Sequence, residues 1–313
     1  MCTSSFKILK KIFCLLLSIT IFLFALAGCD IFKQGSATEP DKDSDSEFTG
    51  EDNINVPPKE ENGGKTEDEE DSDKDLKDMI KSMSIEQKIG QMFIVRCPEE
   101  NAVDKVLEYH LGGYILFARD FKEKTAEDIK GNIQSYQNAS NLKMLIAVDE
   151  EGGTVNRISI NKNLRAVPFW SPQDLYNEGG WELITSDTRE KSTLLKSLGV
   201  NVNMAPVCDV SENSSDYIYK RSFGKNADET SEYIKTVVQT MNSENIGSVL
   251  KHFPGYGNNV DTHTGISYDK RDYNNFLNND FKPFKAGIEA GADSVLVSHN
   301  IIEAIDSQNP ASL

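Results

Sequence analysis

The sequence predicts an α/β fold, a (β/α)8 TIM barrel, for the part of the chain that follows residue 75. Short continuous apolar runs alternate with longer segments of helical character, which is typical of parallel strands buried on both faces. No glycine-rich dinucleotide fingerprint follows the first apolar run, so a barrel is favoured over a doubly wound sheet. In such a barrel, functional side chains are expected at the carboxyl ends of the strands.

Local signals predict six helices, each followed by a strand. Ser84 with Gln87 forms a capping box at the start of the first helix, and Thr125 caps the third. The predicted helices cover 84–90, 100–110, 125–140, 187–197, 228–244 and 275–289, and the strands that follow them cover 92–95, 114–118, 144–148, 200–206, 246–252 and 293–298. This alternation is the order expected of consecutive barrel units.

Residues 1–29 resemble a lipoprotein signal peptide and are no part of the predicted fold. Lysines near the N-terminus precede an uncharged apolar stretch over 12–27, which is short for a membrane span. The stretch ends in Leu-Ala-Gly before Cys29, the pattern of a lipidated cysteine, with an uncleaved anchor or an ordinary signal peptide as alternatives. Lipidation predicts an extracytoplasmic protein, anchored to the outer face of the bacterial cell membrane and touching the membrane only through that anchor.

Residues 30–75 are predicted to form a disordered acidic linker. Within 39–78 the sequence has 17 acidic residues against 5 lysines, which accounts for −12 of the formal net charge of −17. Such a segment buries too little apolar surface to offset its ordering entropy, and its like charges repel. The acidic balance also argues against nucleic acid as a partner.

Cysteine and histidine spacing predicts neither a disulfide framework nor a metal site in the folded part. Cys97 and Cys208 lie in apolar, strand-like contexts, so both are predicted to be buried free thiols. His252 and His263 are too far apart along the chain for a short zinc-ligand spacing, and the cysteines are distant in sequence. No metal is expected.

The run from Lys251 to His263 concentrates ionisable side chains at the end of the fifth predicted strand. Lys251 and His252 are expected at the carboxyl end of that strand, because a proline and two glycines stop it, and Asp261 and His263 lie on the loop beyond. Two-residue spacing lets the Asp261 carboxylate hold Nδ1–H of His263 and leaves Nε2 free for proton transfer. The alternative is a structural histidine and an aspartate that caps a turn.

The run KHFPGYGNNVDTHTG resembles the signature of glycoside hydrolase family 3, in its subgroup of bacterial β-N-acetylhexosaminidases. The family carries an Asp-Ser-His acid/base dyad there, and this sequence has Thr262 in the middle position. Further matches occur in the same order: SIEQKIGQMFIV, VDEEGGTVNR, NMAPVCDV, RSFG and GADSVLVSHN. The resemblance covers residues 76–313, which are predicted to be the family's N-terminal barrel domain, incomplete in this chain.

The resemblance implies roles for individual residues. His263 and Asp261 match the acid/base pair. The positions that match substrate-binding residues are Asp149, Arg157, Arg221, Lys251 and His252. A carboxylate accepts hydrogen bonds from sugar hydroxyls, and an arginine offers a fork of donors.

Other residues of the same region receive structural roles. Glu150 and Glu151 are taken as structural, with two solvent-facing side chains as the alternative. Asp209 is predicted to organise the rim. His299 either lines the site or is a buried core histidine, and His110 caps a helix C-terminus.

The implied activity is retaining hydrolysis, without cofactor or metal, of terminal N-acetylglucosamine from peptidoglycan-derived glycans or muropeptides. An aspartate nucleophile attacks the anomeric carbon and His263 protonates the leaving oxygen. Phosphorolysis by a β-N-acetylglucosaminide phosphorylase is an alternative, because a histidine acid suits an anionic nucleophile.

The resemblance places the nucleophile in a Ser-Asp motif after a seventh strand, downstream of a Pro-Ala-x-x-Ser stretch that residues 309–313 match only at its start. We therefore expect a barrel truncated after its sixth strand, as a fragment or as the product of a truncated gene. A solute-binding lipoprotein and an inactive sugar-binding remnant are the rival interpretations. Ligand binding without turnover would identify either.

Overall fold

The computed structural model describes residues 67–261 and 265–313, with side chains from residue 74 onward. Residues 1–29 with Cys29, most of the predicted linker, and His263 therefore lie outside the described residues. Nine α-helices are described: α1 Glu67–Ser82, α2 Ile85–Gln91, α3 Ala102–Tyr109, α4 Ala118–Phe121, α5 Ala126–Ala139, α6 Pro172–Leu198, α7 Ala227–Ser243, α8 Tyr273–Asn275 and α9 Phe281–Glu289. A π-helical turn, Phe276–Asp280, joins α8 to α9.

Six strands form one parallel sheet, as the sequence predicts. They are β1 Ile94–Arg96, β2 Gly113–Leu116, β3 Leu145–Val148, β4 Val202–Asn203, β5 Gly247–Phe253 and β6 Ser294–Val297. Each strand pairs with its successor in the sequence, which is the order of a barrel and not of a doubly wound sheet. The sheet is a half-barrel of six strands, so the predicted fold class is confirmed.

The two faces of the sheet pack against different layers. Ile115, Ala147 and Val249 form an apolar cluster on the inner face, where a barrel interior lies. The residues between them, such as Ile146 and Leu250, pack into the larger core between the sheet and the helices. Alternate residues along a strand point to opposite faces of the sheet. The residue two positions after a member of the inner cluster therefore also points to the inner face.

The predicted caps and thiols are confirmed in the structure. The Ser84 side chain accepts a hydrogen bond from the Gln87 amide at the start of α2, and Thr125 forms the same box with Asp128 at the start of α5. His110 is the C-cap of α3, in the left-handed region with φ of 52°. Cys97 and Cys208 are buried free thiols.

Two helices differ from the prediction. Helix α1 begins at Glu67, so residues 67–75, assigned to the disordered linker, are helical. Acidic residues fill its first turns and Lys81 its last, which favours the helix dipole. Helix α6 begins at Pro172 rather than near residue 187, and it contains a kink at Gly180, where φ is 58°. The paired glycines 179 and 180 weaken the helical signal of its first half.

A second sheet of two short strands, Tyr268–Asp269 and Ile301–Ile302, was not predicted. Two-residue strands leave too little periodic pattern to be found in a sequence. In the part of the chain that the structure describes, no helix is both long and apolar enough to cross a lipid bilayer.

Candidate active site

The inner face of the sheet carries charged residues at the carboxyl ends of β3 and β5. Asp149 lies two residues beyond Ala147, and Lys251 two residues beyond Val249, so both side chains continue the inner face upward from the apolar cluster. Their placement follows from strand alternation alone. It brings residues 102 positions apart into direct contact.

These two residues belong to a cluster of four charged side chains, named here the Glu151 cluster. Its members are Asp149, Glu151, Arg221 and Lys251. Lys251 Nζ lies 2.7 Å from Asp149 Oδ1 and 2.5 Å from Glu151 Oε1. Arg221 binds Glu151 with both arms of its fork, at 3.0 and 2.8 Å. A bidentate arginine–carboxylate pair fixes both side chains in one geometry.

At Glu151, burial and the neighbouring cations shift the pKa of the carboxyl in opposite directions. Burial raises the pKa of its carboxyl, but Lys251 and Arg221 outweigh burial and lower the pKa to about 2. Burial likewise lowers the pKa of Arg221, and its bonds to Glu151 raise that pKa above its ordinary value. Glu151 and Arg221 therefore stay ionised over the whole range in which proteins normally work.

The backbone around Glu151 is held from two sides. The Asn203 amide, at the end of β4, bonds the backbone N–H and C=O of Glu150 at 3.0 and 3.1 Å. From α6, Lys191 Nζ donates to the Glu151 carbonyl at 3.2 Å while it forms a buried ion pair with Asp187. The position of the Glu151 carboxylate is thus set by β4 and α6 as well as by its cations.

The two adjacent glutamates have different functions, and both are buried, so the alternative that they face solvent is wrong. Glu150 has the structural role predicted for it, because its carboxylate accepts the backbone N–H groups of residues 157, 158 and 159. Gly152 and Gly153 then turn the chain with positive φ. A Cβ at Gly152 would lie 2.1 Å from the Trp170 carbonyl oxygen, so only glycine fits.

His252 lies beside the cluster with both ring nitrogens engaged. Nδ1 is 2.8 Å from Asp209 Oδ2, and Nε2 is 3.1 Å from a terminal nitrogen of Arg221. A guanidinium can only donate, so Nε2 accepts and the hydrogen resides on Nδ1, from where it is donated to Asp209. The imidazole thus links Arg221 to Asp209.

Asp209 is buried and organises the start of the loop after β5, the role predicted for it. Besides the imidazole, it accepts the backbone N–H of His252 at 3.1 Å and that of Tyr256 at 2.7 Å. The Tyr256 ring packs edge-on against the His252 ring, with centroids 5.2 Å apart. Strand β5 and its loop are therefore joined to the segment that follows β4.

The predicted substrate-binding residues fall into two groups. Asp149, Arg221 and His252 keep 18%, 16% and 12% of their side chains exposed, so they reach the surface above the buried Lys251. Arg157 stands apart from the cluster. Its guanidinium lies over the Phe117 ring, 5.6 Å from the centroid, and its Nε is buried without a hydrogen-bond partner.

The predicted acid/base pair is described only in part, since His263 lies outside the described residues. Asp261 is half-buried and hydrogen-bonds Tyr217. Burial raises the pKa of Tyr217, the positive charge of Arg221 lowers it, and the negative charge of Asp261 raises it. Because both charges act on Tyr217, this tyrosine lies near Arg221 as well as Asp261. The Tyr217 and Tyr256 rings are 5.8 Å apart. Asp261 is thus connected to the Glu151 cluster through tyrosine, and the acid/base role remains a prediction.

His299 does not join the cluster. Its side chain is exposed, and its Nδ1 lies 2.6 Å from Ser312 Oγ, so the alternative of a buried core histidine is wrong. Within the described residues, no group of three histidine, cysteine, aspartate or glutamate side chains is arranged to hold a metal ion.

A second ion cluster, named here the Arg271 cluster, lies under the loop after β5. It consists of Arg271, Asp269 and Asp280. The Arg271 fork contacts Asp269 at 2.8 Å, Asp280 at 2.9 Å and the Gly255 carbonyl oxygen at 3.2 Å. The Asn259 amide binds Asp269 at 2.6 Å, so two points of the loop are tied to this cluster.

The acid at the base of the Arg271 cluster differs from Glu151. Burial raises the pKa of Asp280, Arg271 lowers it, and the carboxylates of Asp209 and Asp269 raise it, so the pKa reaches about 6. One guanidinium shared between two buried carboxylates does not hold both fully ionised. No sequence signal indicated this cluster, because its members lie close in sequence but only the fold shows that the Asp269 and Asp280 carboxylates are buried against one guanidinium.

Sequence reasoning missed Glu151 as a site residue. Its cations lie 70 and 100 positions further along the chain, on different elements. A sequence shows such a pairing only once the fold is known. The one available signal was its place in the loop that begins at the end of the third strand, where barrel proteins put functional side chains.

Strand order and the charged rim together define an α/β protein of the barrel type with its candidate active site at the carboxyl ends of the strands. A family model described as "Glycosyl hydrolase family 3 N terminal domain" matches residues 84–313. The chain belongs to this family.

Individual relatives agree with that assignment. The chain is 31% identical over 194 residues to a β-hexosaminidase of Xanthomonas campestris, which covers 60% of this chain and 57% of the relative. It is 32% identical over 202 residues to β-hexosaminidase A of Pseudoalteromonas piscicida, covering 63% and 34%. The chain thus spans at most about three fifths of the length of these two curated relatives.

Solved structures share the fold. A family 3 β-N-acetylglucosaminidase from Paenibacillus sp. superposes with a TM-score of 0.66 at 25% identity, over 73% of this chain and 44% of that one. The protein LpqI of M. tuberculosis also gives a TM-score of 0.66, at 24% identity, over 75% of this chain and 67% of that one.

Proposed function

We propose that this chain functions in a retaining β-N-acetylhexosaminidase that releases terminal N-acetylglucosamine from β-linked glycans. The observation that carries the proposal is the Glu151 cluster at the carboxyl ends of β3 and β5 in a chain of glycosyl hydrolase family 3. The two curated relatives named above are β-hexosaminidases, and the Paenibacillus structure is a β-N-acetylglucosaminidase.

The cluster offers the groups that a pyranose needs. Asp149 uses Oδ1 for Lys251, and its partly exposed carboxylate can accept hydrogen bonds from sugar hydroxyls, while Arg221 and His252 border the same surface. Because the low pKa of Glu151 keeps the cations paired, their side chains are fixed before a ligand arrives. A fixed polar site loses less conformational entropy on binding.

Proton transfer is assigned to His263, with Asp261 as the carboxylate that orients it. Support comes from the contact between Asp261 and Tyr217, which lies beside Arg221. The His252 imidazole is less suited to this role, since both of its nitrogens are engaged in the cluster. Hydrolysis and phosphorolysis share this acid step and differ in the acceptor.

Binding can be tested on this chain, and turnover on a protein that also carries the Ser-Asp nucleophile motif. Isothermal titration with N-acetylglucosamine should show binding that weakens about tenfold or more in Asp149→Asn, which loses the charge facing the sugar hydroxyls. In a hydrolysis assay of the protein with the nucleophile motif, His263→Ala should lose most activity on N,N′-diacetylchitobiose and little on 4-nitrophenyl β-N-acetylglucosaminide, because an activated phenol needs no acid.

His299→Ala is the matched control for the second assay, since this histidine is exposed and contacts only Ser312 among the described side chains. Equal losses on both substrates in His263→Ala would contradict the acid role. Binding of N-acetylglucosamine with no turnover of either substrate would favour a sugar-binding protein over a hydrolase.

The substrate source is proposed from the family, and the location from the pattern of residues 1–29. We propose that the glycans are peptidoglycan-derived, muropeptides included, and that Cys29 is lipidated and holds the protein on the outer face of the cell membrane. Incorporation of an alkyne-labelled fatty acid should disappear in Cys29→Ser and persist in Cys14→Ser. Labelling that survives Cys29→Ser would refute the anchor.

A further inference from the structure

Tyr217 is an exposed aromatic residue beside the Glu151 cluster. It lies in the segment after β4, four positions before Arg221, and 40% of its surface is exposed. Single aromatic side chains are exposed on many proteins, so exposure alone does not mark a site. Tyr217 differs from such residues because its backbone, its ring and its hydroxyl are each held in place.

The backbone around Tyr217 is fixed on both sides. Before it, the Asp216 carboxylate accepts a hydrogen bond from Ser211 Oγ at 2.8 Å. After it, Ile218 is fully buried, and its carbonyl oxygen accepts the Arg221 N–H at 2.9 Å. The turn that carries the tyrosine is therefore held by hydrogen bonds and by burial.

The ring of Tyr217 is the last of three rings that lead outward from the Glu151 cluster. The Tyr256 ring packs edge-on against the His252 ring, and the Tyr217 ring follows it with centroids 5.8 Å apart and planes inclined at 51°. Tyr256 is buried, whereas Tyr217 is exposed. Only the outermost ring of this series therefore offers a broad surface to a ligand.

The hydroxyl of Tyr217 fixes the ring from its other end and locates it relative to a substrate. It donates a hydrogen bond to the Asp261 carboxylate, on the loop after β5, and Arg221 lies nearby. A ring held at both ends loses little further freedom when a ligand covers it. Because Asp261 belongs to the proposed acid/base pair, which acts on the leaving oxygen, Tyr217 lies on the side of the leaving group.

The cluster and the ring suit different parts of a glycan. Asp149 and Arg221 offer charged partners to the hydroxyls of the terminal sugar. A pyranose also has a face of C–H groups, which the electron-rich face of an aromatic ring attracts. Tyr217 offers such a ring beyond the charged groups, where the next sugar of the glycan would follow.

We propose that Tyr217 is a stacking platform for the second sugar of the glycan, the one that departs as the leaving group. The inference rests on the proposed function and adds to it a preference for saccharides over small leaving groups. A glycoside with a small aglycone binds the cluster alone, and a disaccharide engages both the cluster and the ring.

The test is isothermal titration of the full chain with two β-glycosides. Methyl β-N-acetylglucosaminide fills only the cluster, and the S-linked analogue of N,N′-diacetylchitobiose also presents a second sugar and resists hydrolysis. The disaccharide should bind about five- to tenfold more tightly, as expected when one ring face is buried. Because stacking of a neutral sugar involves no net charge, added salt should leave the ratio of the two affinities unchanged.

Substitutions at Tyr217 separate the ring from the hydroxyl. The ratio of the two affinities should fall to about one in Tyr217→Ala and in Tyr217→Leu, which fills the position without a ring. It should stay near the wild-type value in Tyr217→Phe, which keeps the ring and loses the hydroxyl. Far-ultraviolet circular dichroism checks that each variant is folded.

Tyr109→Ala is the control and should keep the wild-type ratio. Tyr109 is an exposed tyrosine at the end of α3, just before β2 begins, so it lies at the amino end of the strands, away from the site. Equal affinities of the two glycosides in the wild type, a preference that survives Tyr217→Ala and Tyr217→Leu, or one that Tyr217→Phe abolishes would overturn the platform and leave the proposed function standing. Binding of neither glycoside would overturn both.

Discussion

The Glu151 cluster and the Arg271 cluster differ in their ratio of cations to carboxylates, which is two to two in the first and one to two in the second. In the first, two cations face the central carboxylate of Glu151, and its pKa falls to about 2. In the second, one guanidinium is shared by Asp269 and Asp280, and burial raises the pKa of Asp280 to about 6. The count of cations per carboxylate, more than depth of burial, decides whether a buried acid stays ionised.

The two clusters also differ in their position: the Glu151 cluster belongs to the candidate active site, and the Arg271 cluster holds a loop. The Glu151 cluster keeps fixed charges at the exposed rim, where Asp149 and Arg221 meet the solvent. The Arg271 cluster ties the loop after β5 to the body through Gly255 and Asn259, and its strength varies with pH. The two clusters contribute to stability with opposite signs of pH dependence.

The largest expected effect comes from breaking the Glu151 cluster. Glu151→Gln leaves Arg221 without a carboxylate and Lys251 with Asp149 alone, so the free energy of unfolding should fall by about 3–5 kcal/mol at pH 7. Urea unfolding followed by circular dichroism measures it. Glu100→Gln, at an exposed glutamate, should change stability by less than about 0.5 kcal/mol. Equal small losses in both variants would contradict the structural role of the cluster.

The next largest effect is the pH dependence of stability, which should differ in sign between the two clusters. A free aspartate ionises near pH 3.8 and Asp280 near 6, so the folded chain binds more protons between these values. Its contribution to the free energy of unfolding therefore falls as pH rises through this window, by about 3 kcal/mol in total. Glu151 acts oppositely, since its contribution is present above pH 4.5 and is lost as pH falls towards 2.

Asp280→Asn removes the titrating group, so its stability relative to the wild type should rise by about 3 kcal/mol between pH 4 and pH 7. Denaturant unfolding in matched buffers gives the curve. Asp75→Asn, at an exposed position on α1, is the control and should follow the wild type. A constant difference between Asp280→Asn and the wild type would show that Asp280 titrates normally.

The smallest effect tests the shape of the guanidinium rather than its charge. Arg271→Lys keeps one positive charge but cannot bind Asp269, Asp280 and the Gly255 carbonyl together, so we expect a loss of about 1–2 kcal/mol at pH 7. Thermal unfolding suffices to measure it. The exposed Arg189→Lys should cost less. If the two losses are the same, the fork of Arg271 has no special role.

Much of the fold could be predicted, because strands such as 145–148 and the first half of 247–253 lie in apolar runs between helices with capping signals. The caps at Ser84 and Thr125 are local signals and were found. The first half of α6 was not, because Gly179 and Gly180 resemble a loop. The two-residue strand at 268–269 depends on a partner more than 30 positions away, which no local pattern reveals.

The candidate site divides in the same way. Strand ends indicated Asp149 and Lys251, since alternation fixes where they point. Glu151 was not recognised because its cations lie far along the chain, and Arg271 because only the fold shows that its neighbours Asp269 and Asp280 are buried. Burial and charge balance are properties of the assembled fold, so the spacing of residues along the sequence does not predict them.

The uneven distribution of charge has a consequence for how a saccharide would arrive. The acidic segment 39–78 and the total of −17 repel an anionic ligand at long range, whereas the Glu151 cluster joins two cations to two carboxylates and has no formal net charge of its own. Raising the ionic strength screens the repulsion, so the association rate constant of an anionic saccharide should increase and that of a neutral one should stay the same.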